Sequence, residues 1–312
     1  LGAIIMSTCV LDLFVPSKGV LIPFREINTH QQKLISKASM ISDNIYCTEF
    51  LLELLDTIKN STKIDDLNIH DMLVILLGLK ASSIDIKVPL NVVCDKCGQK
   101  HKYEIRLDKM YGEMCKINPK IIPVTIGSYK LEIAVPNVLK EMSILYELKR
   151  IAFTDDKDAI EKSFILNIDR YISKITYKTN EIVQLPTLED KLEFYRKMSM
   201  ESITQLLTDI QKVQITYKLF DFTCVEPCKK QLYRVVNYDL DKFYFILKLI
   251  YNESIIDILK DTFYLQKIGI PIDYSENITH QERRLLWGFF NELEQKKSAA
   301  SRNSTPYGPL GT

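Results

Sequence analysis

Apolar positions recur along this chain with two different periods, and the changes of period mark its elements. Residues 8–24 form two short apolar runs around Pro16-Ser17-Lys18-Gly19, which predicts two strands and a turn. Asn28 or Thr29 then reads as a helix N-cap, with Gln32 as the capping-box partner of Thr29, and Leu34, Ile35, Ala38 and Ile41 follow at helical spacing. Phe50, Leu51, Leu54 and Leu55 give the apolar face of a second helix over 44–59. A third, over 69–80, is apolar on almost every side and is expected at the buried centre of the first module.

Period-two alternation returns over 84–93 and 100–107, on either side of a cysteine pair. Residues 121–135 read as a hairpin turning at Gly127-Ser128, of type II′. Helices are expected over 138–153, 156–171 and 188–211, and strands over 213–223 and 230–236 around a second cysteine pair. The end is helical again, over 239–251, 254–267 and 279–295, the second of these stopped by Gly269-Ile270-Pro271. The Ser-, Gly- and Pro-rich stretch 298–312 reads as a disordered tail.

The fold class expected from this order is α+β, mainly helical, with a small zinc-ribbon-like β element made by two cysteine knuckles. It divides into an N-terminal hairpin and helical module (1–83), the first knuckle with its hairpins (84–136), a helical middle (137–212), the second knuckle (213–238), a C-terminal helical module (239–297) and the tail.

The knuckles carry the chemistry. Cys94-Asp95-Lys96-Cys97-Gly98 places two thiols where a tight turn can aim both at one ion, and Gly98 suits the positive φ that ends such a turn. Cys224-Val225-Glu226-Pro227-Cys228 is the second half, with residues 98–223 lying between. Thiolates from Cys94, Cys97, Cys224 and Cys228 would fill a tetrahedral Zn2+ site with no open position, a structural arrangement rather than a catalytic one. The second knuckle has three residues between its cysteines and Pro227 in place of a glycine-type turn, which leaves its metal geometry open. His101 and Cys115 are reserve ligands. A redox reading of the first pair is disfavoured, because no strand-then-helix context follows it.

Composition narrows the rest. Hydrophobic residues are 46% and charged residues 26% of the 312, ordinary for a globular chain. A formal net charge of +1 gives no strong pull toward nucleic acid or anionic membrane. No apolar run is long enough to span a bilayer and no secretory signal is evident, so the paired cysteines among the seven read as metal ligands in a reducing compartment rather than as a disulfide framework. No GxGxxG, P-loop or catalytic triad signature occurs. His30, His70 and His280 stand at helix starts and read as solvated or capping. Lys229-Lys230 beside a knuckle could touch a phosphate, though a solvated face is the blander reading. Trp287, Phe289 and Phe290 read as core, with one face available as an assembly interface.

Taken together, the N-terminal hairpin leading to Pro23-Phe24-Arg25, the His30-Gln31-Gln32-Lys33-Leu34 helix, the His70-to-Ala81 helix and the CxxCG knuckle resemble the baseplate hub proteins of T-even-type myophages. The resemblance is densest over 15–110 and recurs around the second cysteine pair. It implies a virion structural or assembly protein of the contractile tail baseplate, built in the host cytoplasm. It implies contacts with other hub and tail proteins in an oligomer or hetero-complex, and no enzyme activity. The residues alone leave two alternatives: a zinc-ribbon nucleic-acid-binding, transcription-related protein, and a hydrolase with a structural zinc.

Overall fold

The computed structural model describes residues 10–40, 67–83, 86–154, 157–225, 228–237 and 254–303. The helices expected over 44–59 and 239–251 lie outside them. In chain order the elements are β1 (Val10–Val15), β2 (Val20–Arg25), α1 (Thr29–Met40), α2 (Ile69–Ser83), β3 (Lys87–Val93), β4 (Lys100–Arg106), α3 (Leu107–Met114), β5 (Ile122–Ile126), β6 (Tyr129–Ile133), α4 (Val138–Ala152), α5 (Ala159–Asp169), β7 (Ile172–Tyr177), α6 (Leu188–Arg196), α7 (Met200–Val213), β8 (Thr216–Thr223), β9 (Gln231–Asn237), α8 (Ile255–Lys267), α9 (Ile272–Asn277) and α10 (His280–Asn303). The protein is a mainly helical α+β fold.

Helix α2 is the centre, as its unbroken apolar pattern requires. Met72 through Leu77 have no solvent exposure. Gly78 is what lets β1 and α3 approach: a Cβ there would fall 2.7 Å from Leu13 Cδ2 and 3.0 Å from Tyr111 Cε2. The Asp71 carboxylate accepts from the backbone N–H (2.9 Å) and hydroxyl (2.6 Å) of Ser17, so the β1–β2 turn is tied to the first turn of α2. One contiguous core runs from Leu13 and Phe24 through α2 to Cys94, Cys224 and Leu232, so both knuckles are anchored in the same apolar body.

Two pairs of helix starts meet in short antiparallel bridges. Asn68 bridges Asn137, joining α2 to α4, and Asn28 bridges Thr279, joining α1 to α10. The capping box of α1 is formed by Asn28 and Gln31, each bonding the other's backbone N–H (2.9 and 3.1 Å). Gln32, expected in that role, is fully buried.

Several boundaries differ from the sequence reading. The β5–β6 hairpin has a third strand, β7, just past the expected helix over 156–171, where no element was expected. The single helix expected over 188–211 is two, because Ser199 accepts a hydrogen bond from the Ser202 N–H and starts α7 afresh. Helix α3 fills a stretch that no period had marked. The strand expected from Val213 begins at Thr216, since Val213 still belongs to α7. Helix α10 continues to Asn303, past the expected end near Gln295 and into the stretch read as a tail. The knuckles do not share one ribbon sheet: β3–β4 and β8–β9 are separate two-stranded hairpins.

Candidate metal centre

Each knuckle is the tip of one hairpin, and the two tips are built alike. In the first, the Cys94 N–H donates to the Gln99 carbonyl (2.9 Å) and the Gly98 N–H to the Cys94 carbonyl (2.8 Å). In the second, the Cys224 N–H donates to the Lys230 carbonyl (2.8 Å) and the Cys228 N–H to the Val225 carbonyl (3.1 Å). The residue after each second cysteine is left-handed: Gly98 at φ +73° and Lys229 at φ +50°. The turn conformation that glycine supplies freely in the first knuckle is held by a lysine in the second, at a steric cost. Glu226 and Pro227 lie outside the described residues.

Aromatic packing brings the hairpins together. Tyr103 of β4 stacks on Phe222 of β8 with centroids 5.3 Å apart and rings 10° from parallel, and His101 meets the same Phe222 edge-on at 5.4 Å. Lys230 reaches across to Asp95 with bonds of 2.6 and 2.7 Å to its two carboxylate oxygens. This pairing holds the Asp95 carboxyl below its usual range. It also engages the lysine that the nucleic-acid reading had offered to a phosphate.

The four cysteines named from the sequence converge. Their sulfurs all lie within 4.8 Å of one another, with Cys94 to Cys228 at 3.8 Å and Cys97 to Cys224 at 3.7 Å. A disulfide needs ~2.05 Å, so these are four free thiols. A tetrahedral ion with metal–sulfur bonds of ~2.3 Å sets its ligands about 3.8 Å apart, which is the spacing found on both of these edges. Cys94 and Cys224 are buried, Cys228 is half-buried and Cys97 faces solvent.

The close approach of the thiols splits their acidities. Cys94 is drawn down to about 7, first by the Cys97 backbone N–H and then by that of Lys96. Cys224 is pushed up to about 12, first by burial and then by the neighbouring thiols. Thiolates this close repel unless a positive charge lies among them. The set fits a soft, four-coordinate metal and leaves no position for a substrate or an activated water.

Of the reserve ligands, His101 lies at the edge of the cluster, its Nε2 3.2 Å from the Cys224 sulfur, where a ring N–H can donate to the ligand without displacing it. Cys115 follows α3 beside Tyr111, outside the set. His70 corrects the expectation of a solvated or capping histidine: it is fully buried, with Nε2 3.1 Å from the Met114 carbonyl oxygen. What the sequence could not show is the Asp95–Lys230 bridge and the Tyr103–Phe222 stack, because both depend on how two distant hairpins meet.

No helix among the described residues is long and apolar enough to cross a membrane. No curated protein and no solved structure matches the chain. A family model described as T4 bacteriophage base plate protein matches residues 6–245, a span that contains both knuckles. That match covers most of the 312 residues. The chain therefore belongs to the T4 bacteriophage base plate protein family.

Proposed function

We propose that this protein is a zinc-stapled structural or assembly subunit of the contractile-tail baseplate hub. Cys94, Cys97, Cys224 and Cys228 are its zinc ligands in this reading. The observation that carries it is the convergence of four thiols, from hairpins distant in sequence, within 4.8 Å. When bound, the ion supplies a fixed tetrahedral cross-link and no reactivity. The chain's own residues supply the rest. The Tyr103–Phe222 stack and the Asp95–Lys230 bridge set the approach of the hairpins, and His101 Nε2 lies within hydrogen-bond reach of the Cys224 sulfur. The two hairpins then act together as one compact zinc-ribbon-like element. The clamp fixes the module before the first knuckle against the module after the second, and the outer faces of those modules meet neighbouring hub and tail proteins in the virion.

Quantitative mass spectrometry of purified phage particles, with lysine cross-linking, tests the role. The expected result is this chain in the particle, cross-linked to baseplate components. An assembly factor instead gives particles without the chain and no baseplates when it is deleted. Normal infectious particles that form in its absence would overturn both versions.

A further inference from the structure

A cavity beside β7 gathers charges that the metal cluster does not use. Strand β7 is an outer strand of its three-stranded sheet. The second half of its open edge is covered: Thr176 bridges Ile182, and the Val183 N–H donates to the Ile175 carbonyl (2.9 Å). The chain then runs on to α6, and a cavity of about 260 Å³ opens beside the first half of the strand. Ile175, Ile182, Val183 and Leu185 give it apolar walls, while Lys140, Asp169 and Lys191 supply its charge.

Three helices bring those charges together. Asp169 ends α5 and is buried. The Tyr195 hydroxyl of α6 donates to its Oδ1 (3.3 Å). Both ammonium groups crowd the other oxygen, with Lys191 Nζ of α6 at 2.9 Å and Lys140 Nζ of α4 at 3.4 Å from Oδ2. Lys140 also donates to the Ile172 carbonyl. An ammonium group carries three N–H donors. Among the described residues, these contacts leave one donor of Lys140 and two of Lys191 without a protein acceptor. The charge is uneven in the same sense. Two ammonium groups share one carboxylate, and the third lysine of the lining, Lys174, stands opposite Glu132 in the β6–β7 register. One positive charge is in surplus. The side chains of Lys140 and Lys191 are only 29% and 20% exposed, so water screens that surplus weakly. Burial lowers the Lys140 pKa, Asp169 opposes the fall and the Lys191 charge adds to it.

The chemistry of the lining selects its occupant. A single surplus charge calls for a single negative charge, and a doubly charged phosphate would overshoot it in a site this poorly hydrated. Apolar walls next to the ammonium groups call for aliphatic carbon next to the anion. The volume falls below the roughly 300–1,000 Å³ of pockets that enclose drug-sized ligands, so the occupant is a small group.

We infer that this cavity binds a small aliphatic monocarboxylate, its oxygens on the free donors of Lys140 and Lys191 and its carbon against Ile175, Ile182 and Leu185. The same group is offered by a free short-chain acid and by an acidic side chain of a neighbouring protein. Methyl NMR of the intact chain, with 13C-labelled isoleucine methyls and matched ionic strength, tests the site with two probes. Butyrate stands for the free acid, and glutamate blocked at its main-chain amine and carboxyl stands for the side chain. The expected result is saturable movement of the Ile172, Ile175 and Ile182 methyls, which neutral butanol does not reproduce. Tighter binding of butyrate identifies a free acid as the occupant, and tighter binding of the blocked glutamate identifies a protein side chain. Lys191→Met should weaken the better probe roughly tenfold to a hundredfold, because charge-assisted hydrogen bonds are lost. Ile182 is 63% exposed, so Ile182→Glu leaves the core untouched while placing a competing carboxylate at the cavity; it should weaken binding at least about tenfold. Both variants should keep the parent's zinc content, since none of these residues belongs to the knuckles, so failure here is distinguishable from failure of the zinc reading. Methyls that move with neither probe overturn the proposal. So do shifts that butanol reproduces, or binding that survives both substitutions.

Discussion

Replacing Cys94 by serine removes one corner of the four-thiol cluster at its most buried point. Cys94 has no solvent exposure, and its sulfur sits 3.8 Å from that of Cys228, on an edge the length of a tetrahedral metal–thiolate site. The serine oxygen is harder, is carried on a shorter bond and does not ionise near neutral pH. A complete structural zinc site is worth about 10–16 kcal/mol of apparent binding free energy in small peptides. If the four ligands share it evenly, losing one weakens metal binding on the order of 10²- to 10³-fold. Competition against a chromogenic chelator at fixed pH measures this directly; the pH must be held because binding displaces thiol protons. Cys97→Ser should cost less, because Cys97 faces solvent and water can take its place. Cys115→Ser should change nothing, since that thiol lies outside the cluster. A Cys94→Ser protein that keeps metal affinity within about threefold of the parent would refute the assignment.

Other outcomes follow from the same contacts. Gly78→Ala should destabilise the fold by about 1–2 kcal/mol in chemical denaturation, because the clash with Leu13 and Tyr111 outweighs the ~1 kcal/mol helix-propensity gain; a stabilised variant would show that β1 can retreat freely. Burial, the largest effect on His70, lowers its pKa below the ordinary 6.5 despite opposing contributions from Asp71 and two backbone carbonyls, so the fold favours the neutral ring more than the unfolded chain does. The stability it contributes is complete above about pH 6.5 and is lost as pH falls toward and through the folded value; a His70→Gln protein should show a flatter acid limb in melting temperature against pH, and an unchanged limb would count against the burial argument. Lys229→Gly should stabilise the second knuckle by up to about 1 kcal/mol by relieving its left-handed backbone, read as a higher melting temperature of the reduced, zinc-loaded chain; a loss would mean the lysine side chain matters more than its φ. Chelation should loosen the two hairpins while leaving most helical circular dichroism in place, since the core runs on through α2; cooperative collapse of the whole signal would contradict that.

The parts of the fold legible in the sequence are those fixed locally. Pro16 to Gly19, Gly127-Ser128 and the cysteine spacing each specify a turn by its own residues, and each hairpin is where its turn places it. Helix α2 was legible because an all-round apolar helix has only one place to go. Strand β7 was not. Its six residues follow a helix directly, and its partner β6 lies some forty residues earlier in the chain, so no local period announces it. The break before α7 rests on one serine cap inside an otherwise continuous helical pattern. Within the candidate site the convergence of Cys94, Cys97, Cys224 and Cys228 was legible from the cysteines alone. The supporting contacts were not: Asp95–Lys230 and His101–Cys224 join residues more than a hundred positions apart. Phe289 misled because an aromatic residue at helical spacing reads as core, whereas here it lies exposed on α10.

The proposed clamp turns on one metal ion held by four sulfurs from two hairpins. Zinc K-edge X-ray absorption on the reduced, intact chain, with elemental analysis on the same sample, tests this most directly. The expected result is one zinc per chain with four sulfur neighbours at about 2.3 Å and no nitrogen or oxygen in the inner shell. Protein purified without metal that takes up none when zinc is supplied would contradict it, as would a zinc bound by fewer than four sulfurs.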